Sequence, residues 1–137
     1  MKFNLELSVG NYHIQSYRPG QISLILIADA NGAKTMAPDQ ETLSQSFVIT
    51  PRELMRDWPP QRFEDLNPSH FAMLTKLQPE FVLFGSGAHL RFPPPALTAS
   101  LLNQGIGVEI MDTGAACRTY NVLIAEGRNV AAALLMI

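Results

Sequence analysis

A strand–helix–strand pattern occupies residues 106–136, IGVEIMDTGAACRTYNVLIAEGRNVAAALLM. The largely apolar run at 106–111 predicts a strand, and residues 113–126 predict a helix that ends at Gly127. A second strand is predicted at 129–136. Two nearly continuous apolar runs separated by a helix are typical of parallel strands in a sheet that is covered on both faces. These residues therefore favour an α/β fold.

The preceding residues extend this pattern by one strand and one helix. Glu80 to Phe84 forms a short apolar run, and residues 94–104 predict a helix that stops at Gly105. The order β-α-β-α-β, with right-handed crossovers, predicts a small parallel sheet in the C-terminal part of the chain. In such a sheet, ligand-binding loops lie at the carboxyl ends of the strands.

The N-terminal part has a different pattern. Short strands are predicted at 12–17, 22–27 and 46–49. The first two are joined by Arg18-Pro19-Gly20-Gln21, in which proline presets a turn and glycine accepts a positive φ, so they predict a β-hairpin. A polar stretch at 29–45 follows, with a second turn expected at Asn31-Gly32. We therefore expect an antiparallel β extension before the parallel sheet.

Two helices are predicted between these parts. Residues 50–53, Thr-Pro-Arg-Glu, have the pattern of a capping box and predict a short helix that runs toward Trp58. Asn67-Pro68 predicts the start of another helix. Its buried stripe is marked by Phe71, Leu74 and Leu77.

Length and composition limit the class of protein. A chain of 137 residues, of which 47% are apolar and 16% charged, is long enough for one domain with its own core, and we expect a single domain over 1–137. The net charge is −2 and there is no basic run, which argues against binding to nucleic acid. Residues 77–137 hold 7 of the 22 charged side chains, so we expect that half to be more buried.

The location of the protein is inferred from three features. The first ten residues alternate apolar and polar side chains and lack the apolar core of a secretory signal. No stretch reaches about 18 uncharged apolar residues, so insertion into a membrane is not expected. The single cysteine, Cys117, cannot form an internal disulfide. We expect a cytoplasmic protein.

Two loops are the candidate ligand site. Gly85-Ser86-Gly87 follows one predicted parallel strand and Asp112-Thr113-Gly114 follows the next, so both lie at the same sheet edge. Small residues there expose backbone amides, and Arg118 adds a positive charge, which together predict a crevice for a small anion. The alternative is structural: a turn that needs small residues, and a capped helix whose Arg118 pairs with Glu126 or Asp112.

Other chemistry has weaker support. The third glycine of a dinucleotide-binding loop is replaced by Leu90, and Phe84 stands where a nucleophile elbow has its first glycine. A catalytic Cys117 would need a base, which no neighbouring residue supplies, so an inert buried thiol is expected. Three scattered histidines provide no metal spacing. We therefore expect no cofactor, no metal and no catalytic residues.

The stretches 111–123 and 126–135 resemble the Mth-type domain family of unknown function. Further matches lie at Ile14, Ile49-Thr50-Pro51, Trp58, Pro79-Glu80 and the segment Phe84-Gly85-Ser86-Gly87. The likeness covers about residues 12–136, and it implies a three-layer α/β fold with a β-rich extension. The family includes a mitochondrial respiratory complex I assembly factor and an adipogenesis-associated protein.

The resemblance implies no established reaction. For the mitochondrial branch it implies binding to protein partners during assembly of a respiratory complex. We therefore expect a small accessory protein that acts by protein–protein interaction, with an enzyme or sensor of small anions as the alternative. The identity of the partner and the oligomeric state, including a homo-oligomer, are left open by the sequence.

Overall fold

The computed structural model describes residues 3, 10–26 and 39–137. Within them the strands are β1 (Tyr12–Arg18), β2 (Gln21–Leu26), β3 (Asp39–Leu43), β4 (Phe47–Ile49), β5 (Leu54–Met55), β6 (Phe81–Gly85), β7 (Gly107–Met111) and β8 (Val130–Leu134). The α-helices are α1 (Pro68–Ala72), α2 (Ala99–Asn103) and α3 (Thr113–Ala125). Short 3-10 turns lie at Phe63–Asp65, Met73–Leu77 and Pro95–Leu97. The α/β class is confirmed.

The first sheet is antiparallel, with the strand order β1-β2-β3. The predicted hairpin is confirmed, and Gly20 in its turn has a φ of 79°. β3 lies inside the polar stretch in which no strand was predicted, and it pairs with β2 from Ile22↔Leu43 to Leu26↔Asp39. The turn expected at Asn31-Gly32 lies outside the described residues.

The second sheet has the order β5-β4-β8-β6-β7. β6 pairs in parallel with both β7 and β8, which confirms the predicted parallel core. β4 runs antiparallel to β8, so the sheet as a whole is mixed. All five residues of β8 are buried, as expected for a central strand with both faces covered.

Two clusters of buried side chains cover the faces of this sheet. On one face, Leu83 and Ala132 pack with Cys117 and Tyr120 of α3, and the cluster continues to Ile14 of the first sheet. On the other face, the cluster includes Val82, Phe84, Trp58, Phe71 and Leu101. Alternate residues of β6 thus point to opposite clusters, as the two-residue period of a strand requires.

The helix predicted from Thr50 toward Trp58 is wrong. The Thr50 hydroxyl does accept hydrogen bonds from the amides of Arg52 and Glu53, as a helix cap would. However, Thr50 N–H donates to the Glu53 carbonyl at 2.9 Å, and the chain reverses into β5, where Leu54 pairs with Ile49. The same residue types suit a tight turn, because proline is favoured at its second position.

The other predicted helices are confirmed in shorter form. Asn67 caps α1 through its side-chain oxygen, and α1 continues as the 3-10 turn at 73–77. The helix expected over 94–104 is a 3-10 turn followed by α2. α3 begins at Thr113 as predicted.

The expectation that the charge-poor half is more buried fails between residues 86 and 108. Fourteen of these 23 residues are exposed, and among those fourteen Arg91 is the one with a formal charge. The low charge of this segment therefore marks an exposed uncharged surface as well as a core.

Candidate functional site

The two loops of the candidate site meet directly at the carboxyl ends of β6 and β7. The fully buried Thr113 hydroxyl accepts a hydrogen bond from Gly87 N–H and donates one to the Leu135 carbonyl, each at 2.8 Å. Thr113 N–H donates to the Gly87 carbonyl at 2.8 Å, and Ser86 N–H donates to the Met111 carbonyl at the same distance. The predicted proximity of the loops is thus observed, and direct hydrogen bonds join them.

The glycines of these loops lie in close contact with other protein atoms. A Cβ at Gly85 would lie 2.7 Å from Leu134 Cδ2 and 2.8 Å from Thr113 Oγ1. Gly87 has a φ of 108°, and a Cβ there would lie 2.7 Å from Ile137. A Cβ at Gly114 would lie 3.0 Å from the ring of Tyr17. Protein atoms therefore occupy the Cβ position at Gly85 and Gly87, and at Gly114 the Tyr17 ring would have to shift by a few tenths of an ångström.

Ser86 stabilises the loop that follows it. Its buried hydroxyl donates to the His89 carbonyl at 2.7 Å and accepts from Arg91 N–H at 3.0 Å. The hydroxyl thus bonds backbone groups of His89 and Arg91, whereas the serine of a Ser-His-Asp triad bonds the imidazole ring of its base.

Asp112 caps α3, since its Oδ1 accepts a hydrogen bond from Ala115 N–H at 2.8 Å. The amides of Ser86, Gly87, Thr113 and Ala115 therefore all donate to protein acceptors. An anion bound to any of these amides has to displace such an acceptor, which costs about 1 kcal/mol or more for each bond lost. The anion site stays a prediction, and the observed contacts favour the structural alternative for these four groups.

Cys117 and Arg118 have opposite environments. Cys117 is fully buried, and burial raises the pKa of its thiol to about 12, although the charge of Arg118 acts in the opposite direction. Arg118 is exposed. A ligand site that uses both side chains would leave both facing solvent. Arg118 faces solvent and Cys117 does not, so of these two side chains a ligand can reach Arg118.

Sequence reasoning missed the roles of Tyr120 and Asn121. The Tyr120 hydroxyl donates to the Tyr12 carbonyl at 2.9 Å. Asn121 accepts from Ile14 N–H at 3.0 Å and donates to the Ile14 carbonyl at 2.7 Å, next to a register shift between Ile14 and Ser16. These bonds join α3 to β1. The available signal was that Tyr120 lies within the buried stripe of α3 and Asn121 beside it, where a polar group needs a partner.

Three clefts lie elsewhere on the described part of the chain. A cleft of about 400 Å³ includes Arg52, Glu53 and Arg128 in its lining. A second of about 670 Å³ includes Glu53, Arg56 and Asp57, and a third of about 300 Å³ includes Glu41 and Arg56. None of the seven candidate residues lines any of the three clefts: Gly85, Ser86, Gly87, Asp112, Thr113, Gly114 and Arg118.

The fold and the junction of β6, β7 and α3 define a Mth938-like α/β domain. A solution structure of a Bordetella pertussis protein described as a Mth938-like domain superposes with a TM-score of 0.73. It is 28% identical to this chain, and the match covers 99% of this chain and 92% of that one. The chain belongs to the family described as "Protein of unknown function (DUF498/DUF598)", which it matches over residues 28–135.

Curated relatives carry two kinds of name. A Drosophila melanogaster protein named NADH dehydrogenase [ubiquinone] 1 alpha subcomplex assembly factor 3 is 35% identical over 91 residues, which are 64% of this chain and 46% of that protein. A Francisella tularensis protein named 13 kDa major membrane protein is 33% identical over 67 residues, which are 49% of this chain and 54% of that protein. The chain thus spans about half the length of the curated relatives it matches. Among the described residues, no helix has the length and apolar character needed to cross a membrane.

The Thr113 hydroxyl is expected to contribute strongly to stability. Thr113→Val keeps the shape of the side chain but leaves Gly87 N–H and the Leu135 carbonyl buried without a partner. An unsatisfied buried group costs about 1–3 kcal/mol, so we expect the free energy of unfolding to fall by about 2–4 kcal/mol in urea denaturation. Thr113→Ser, which keeps the hydroxyl, is the matched control and should lose less. Equal losses in the two variants would contradict this role.

The Cys117 thiol is expected to be unreactive in the folded protein. Burial and a pKa of about 12 leave very little accessible thiolate at pH 8. A disulfide reagent should therefore label the native protein far more slowly than the urea-unfolded protein, in which the same thiol is the internal control. Labelling at equal rates in both states would show that Cys117 is accessible.

Proposed function

We propose that this protein acts by binding another protein, in the manner of an assembly factor, and that it performs no catalysis. The observation that carries the proposal is the similarity to relatives named as complex I assembly factor, at 35% identity over 91 residues for the Drosophila protein. The shared region includes less than half of that protein. We therefore propose for this chain the binding of a protein partner, and we do not extend the proposal to complex I itself.

The chemistry of the candidate site supports binding over catalysis. The hydroxyls of Ser86 and Thr113 each have backbone partners, and the Cys117 thiol is buried with a raised pKa. A nucleophile has to be accessible and close to a base. Ser86 instead stabilises the loop that follows it, Thr113 stabilises the junction between the sheet and α3, and Cys117 lies in the buried core.

We also propose one domain over residues 1–137 and a cytoplasmic location. The buried clusters support one domain, since the side chains of α3 pack against both sheets. The free cysteine is consistent with a reducing compartment. The name of the Francisella relative, 13 kDa major membrane protein, indicates a membrane location for that protein.

Affinity purification of the tagged chain from its host, followed by mass spectrometry, tests the proposal. We expect one protein to copurify in near-stoichiometric amount, and the two purified proteins to form a complex again, with a Kd in the micromolar range or tighter. A chain that copurifies with no stoichiometric protein, under mild salt and after cross-linking, would contradict the proposal.

A thermal-shift measurement with phosphate and small carboxylates tests the alternative of an anion sensor. We expect no concentration-dependent rise in Tm, because four amides at the candidate site, those of Ser86, Gly87, Thr113 and Ala115, already have acceptors. A rise in the wild type that is lost in Arg118→Ala would instead favour anion binding.

A further inference from the structure

Strand β7 is an edge of the five-stranded sheet and, among the described strands, pairs with β6 alone. In a parallel pair, every second residue of a strand turns both its N–H and its C=O toward the neighbouring strand. Met111 is such a residue, because its carbonyl accepts a hydrogen bond from Ser86 N–H directly after β6. Counting back by two, Glu109 also bonds β6, so the backbone groups of Val108 and Ile110 point away from the sheet.

The outward backbone groups of β7 are unused. Within residues 3, 10–26 and 39–137, no hydrogen bond reaches the N–H or C=O of Val108 or Ile110. The edge strand β1 shows the contrast, since the Asn121 side chain occupies both backbone groups of Ile14. An N–H and a C=O that recur at every second residue are matched by the backbone of another extended chain. The edge of β7 is thus a template for one further strand.

The side chains of β7 define what such a strand carries. Val108 and Ile110 are half-buried and pack against the buried cluster on one face of the sheet, which suits apolar side chains on the added strand. Glu109, between them, lies on the opposite face and is exposed. Within the described part of the chain its carboxylate has no ion pair or hydrogen bond. A lysine or arginine directly opposite this carboxylate stabilises a cross-strand pair.

The same glutamate acts against pairing of β7 with a second copy of this chain. Two β7 edges related by a two-fold axis run antiparallel, and all the outward backbone groups are used only where Val108 of each copy faces Ile110 of the other. In that register the two Glu109 residues stand directly opposite each other, at a Cα separation of about 4.5 Å. Like charges directly opposite are destabilising, so a different protein matches the edge better.

We propose that the edge of β7 binds an extended segment of a partner protein, which adds antiparallel as a sixth strand and places a lysine or arginine opposite Glu109. Apolar side chains on either side of that basic residue pack beside Val108 and Ile110. The inference rests on the proposed function, and it names the surface and the kind of segment through which the partner is bound. Antiparallel addition is favoured because it is more stable per residue than parallel addition. The edge at the other end of the sheet, β5, has two residues and presents fewer backbone groups.

Selection of peptides tests the side-chain part of the proposal. A display library of random octapeptides is selected on the wild type, on Glu109→Lys and on the matched control Glu126→Lys, which changes the net charge equally at an exposed residue directly after α3. We expect the wild type and Glu126→Lys to enrich a lysine or arginine between two β-branched or aromatic residues. Glu109→Lys should enrich aspartate or glutamate at that position, because the charge opposite is reversed. Urea unfolding checks that each variant keeps the fold.

N-methylation of the selected peptide tests the backbone part. The two residues that flank the basic residue point their N–H groups at β7, whereas the N–H of the basic residue points away. We expect N-methylation of either flanking residue to weaken binding about tenfold or more, and N-methylation of the basic residue to leave the Kd within about twofold of that of the unmodified peptide. By NMR, the amides of Val108 and Ile110 should gain protection from exchange when the unmodified peptide binds.

Several results overturn the proposal. A library that yields no binder with a central basic residue, or the same peptides from the wild type and Glu109→Lys, would exclude recognition by Glu109. Binding that is insensitive to N-methylation of the flanking residues would exclude strand addition. Protection of the Val108 and Ile110 amides that rises with the concentration of this protein alone would make the edge a contact between copies.

The partner recovered by affinity purification separates this inference from the proposed function. We expect that protein to bind Glu109→Lys about tenfold or more weakly than the wild type, and Glu126→Lys equally well. Equal binding to the wild type and Glu109→Lys would overturn the β7 site and leave the proposed function intact. Recovery of no partner, with the peptide results as expected, would contradict the proposed function and leave the β7 site in place.

Discussion

Helix α3 joins the two sheets through hydrogen bonds that are specific in direction and position. At its first residue, Thr113 connects the ends of β6 and β8 through Gly87 and Leu135. Two turns later, Tyr120 and Asn121 bond the backbone of β1. Burial raises the pKa of Tyr120, which keeps its hydroxyl protonated and able to donate. Apolar packing holds the layers together without fixing their register, whereas these bonds determine where the first sheet sits on α3.

In this arrangement the small residues at the sheet edge allow close packing of the protein's own atoms. Glycines after parallel strands often admit a ligand, but here the space beside Gly85 and Gly87 is occupied by Leu134, Thr113 and Ile137. The polar groups of the junction stabilise the fold, so function is better sought on surfaces that the fold leaves unused.

The parallel core was predictable because its signals are local: apolar runs, the Asp112 cap and the glycine after α3 act within a few residues. The prediction failed where the pairing of strands decides the structure. The turn at Thr50 has the residues of a helix start, but β5 forms because Leu54 pairs with Ile49. β3 is polar and is a strand only because β2 pairs with it. Similarly, the sequence indicated both loops of the candidate site but not that one hydroxyl, of Thr113, connects them.

The central claim is that the amides of Ser86, Gly87, Thr113 and Ala115 serve the fold. Native-state amide hydrogen exchange by NMR tests it most directly. We expect Gly87 and Thr113 N–H, bonded across the junction, and Ile14 N–H, bonded to Asn121, to exchange only on global unfolding. Their opening free energies should equal those of the central strand β8. Fast exchange of Gly87 and Thr113, with protection gained on addition of phosphate or a carboxylate, would contradict it and show an open ligand site.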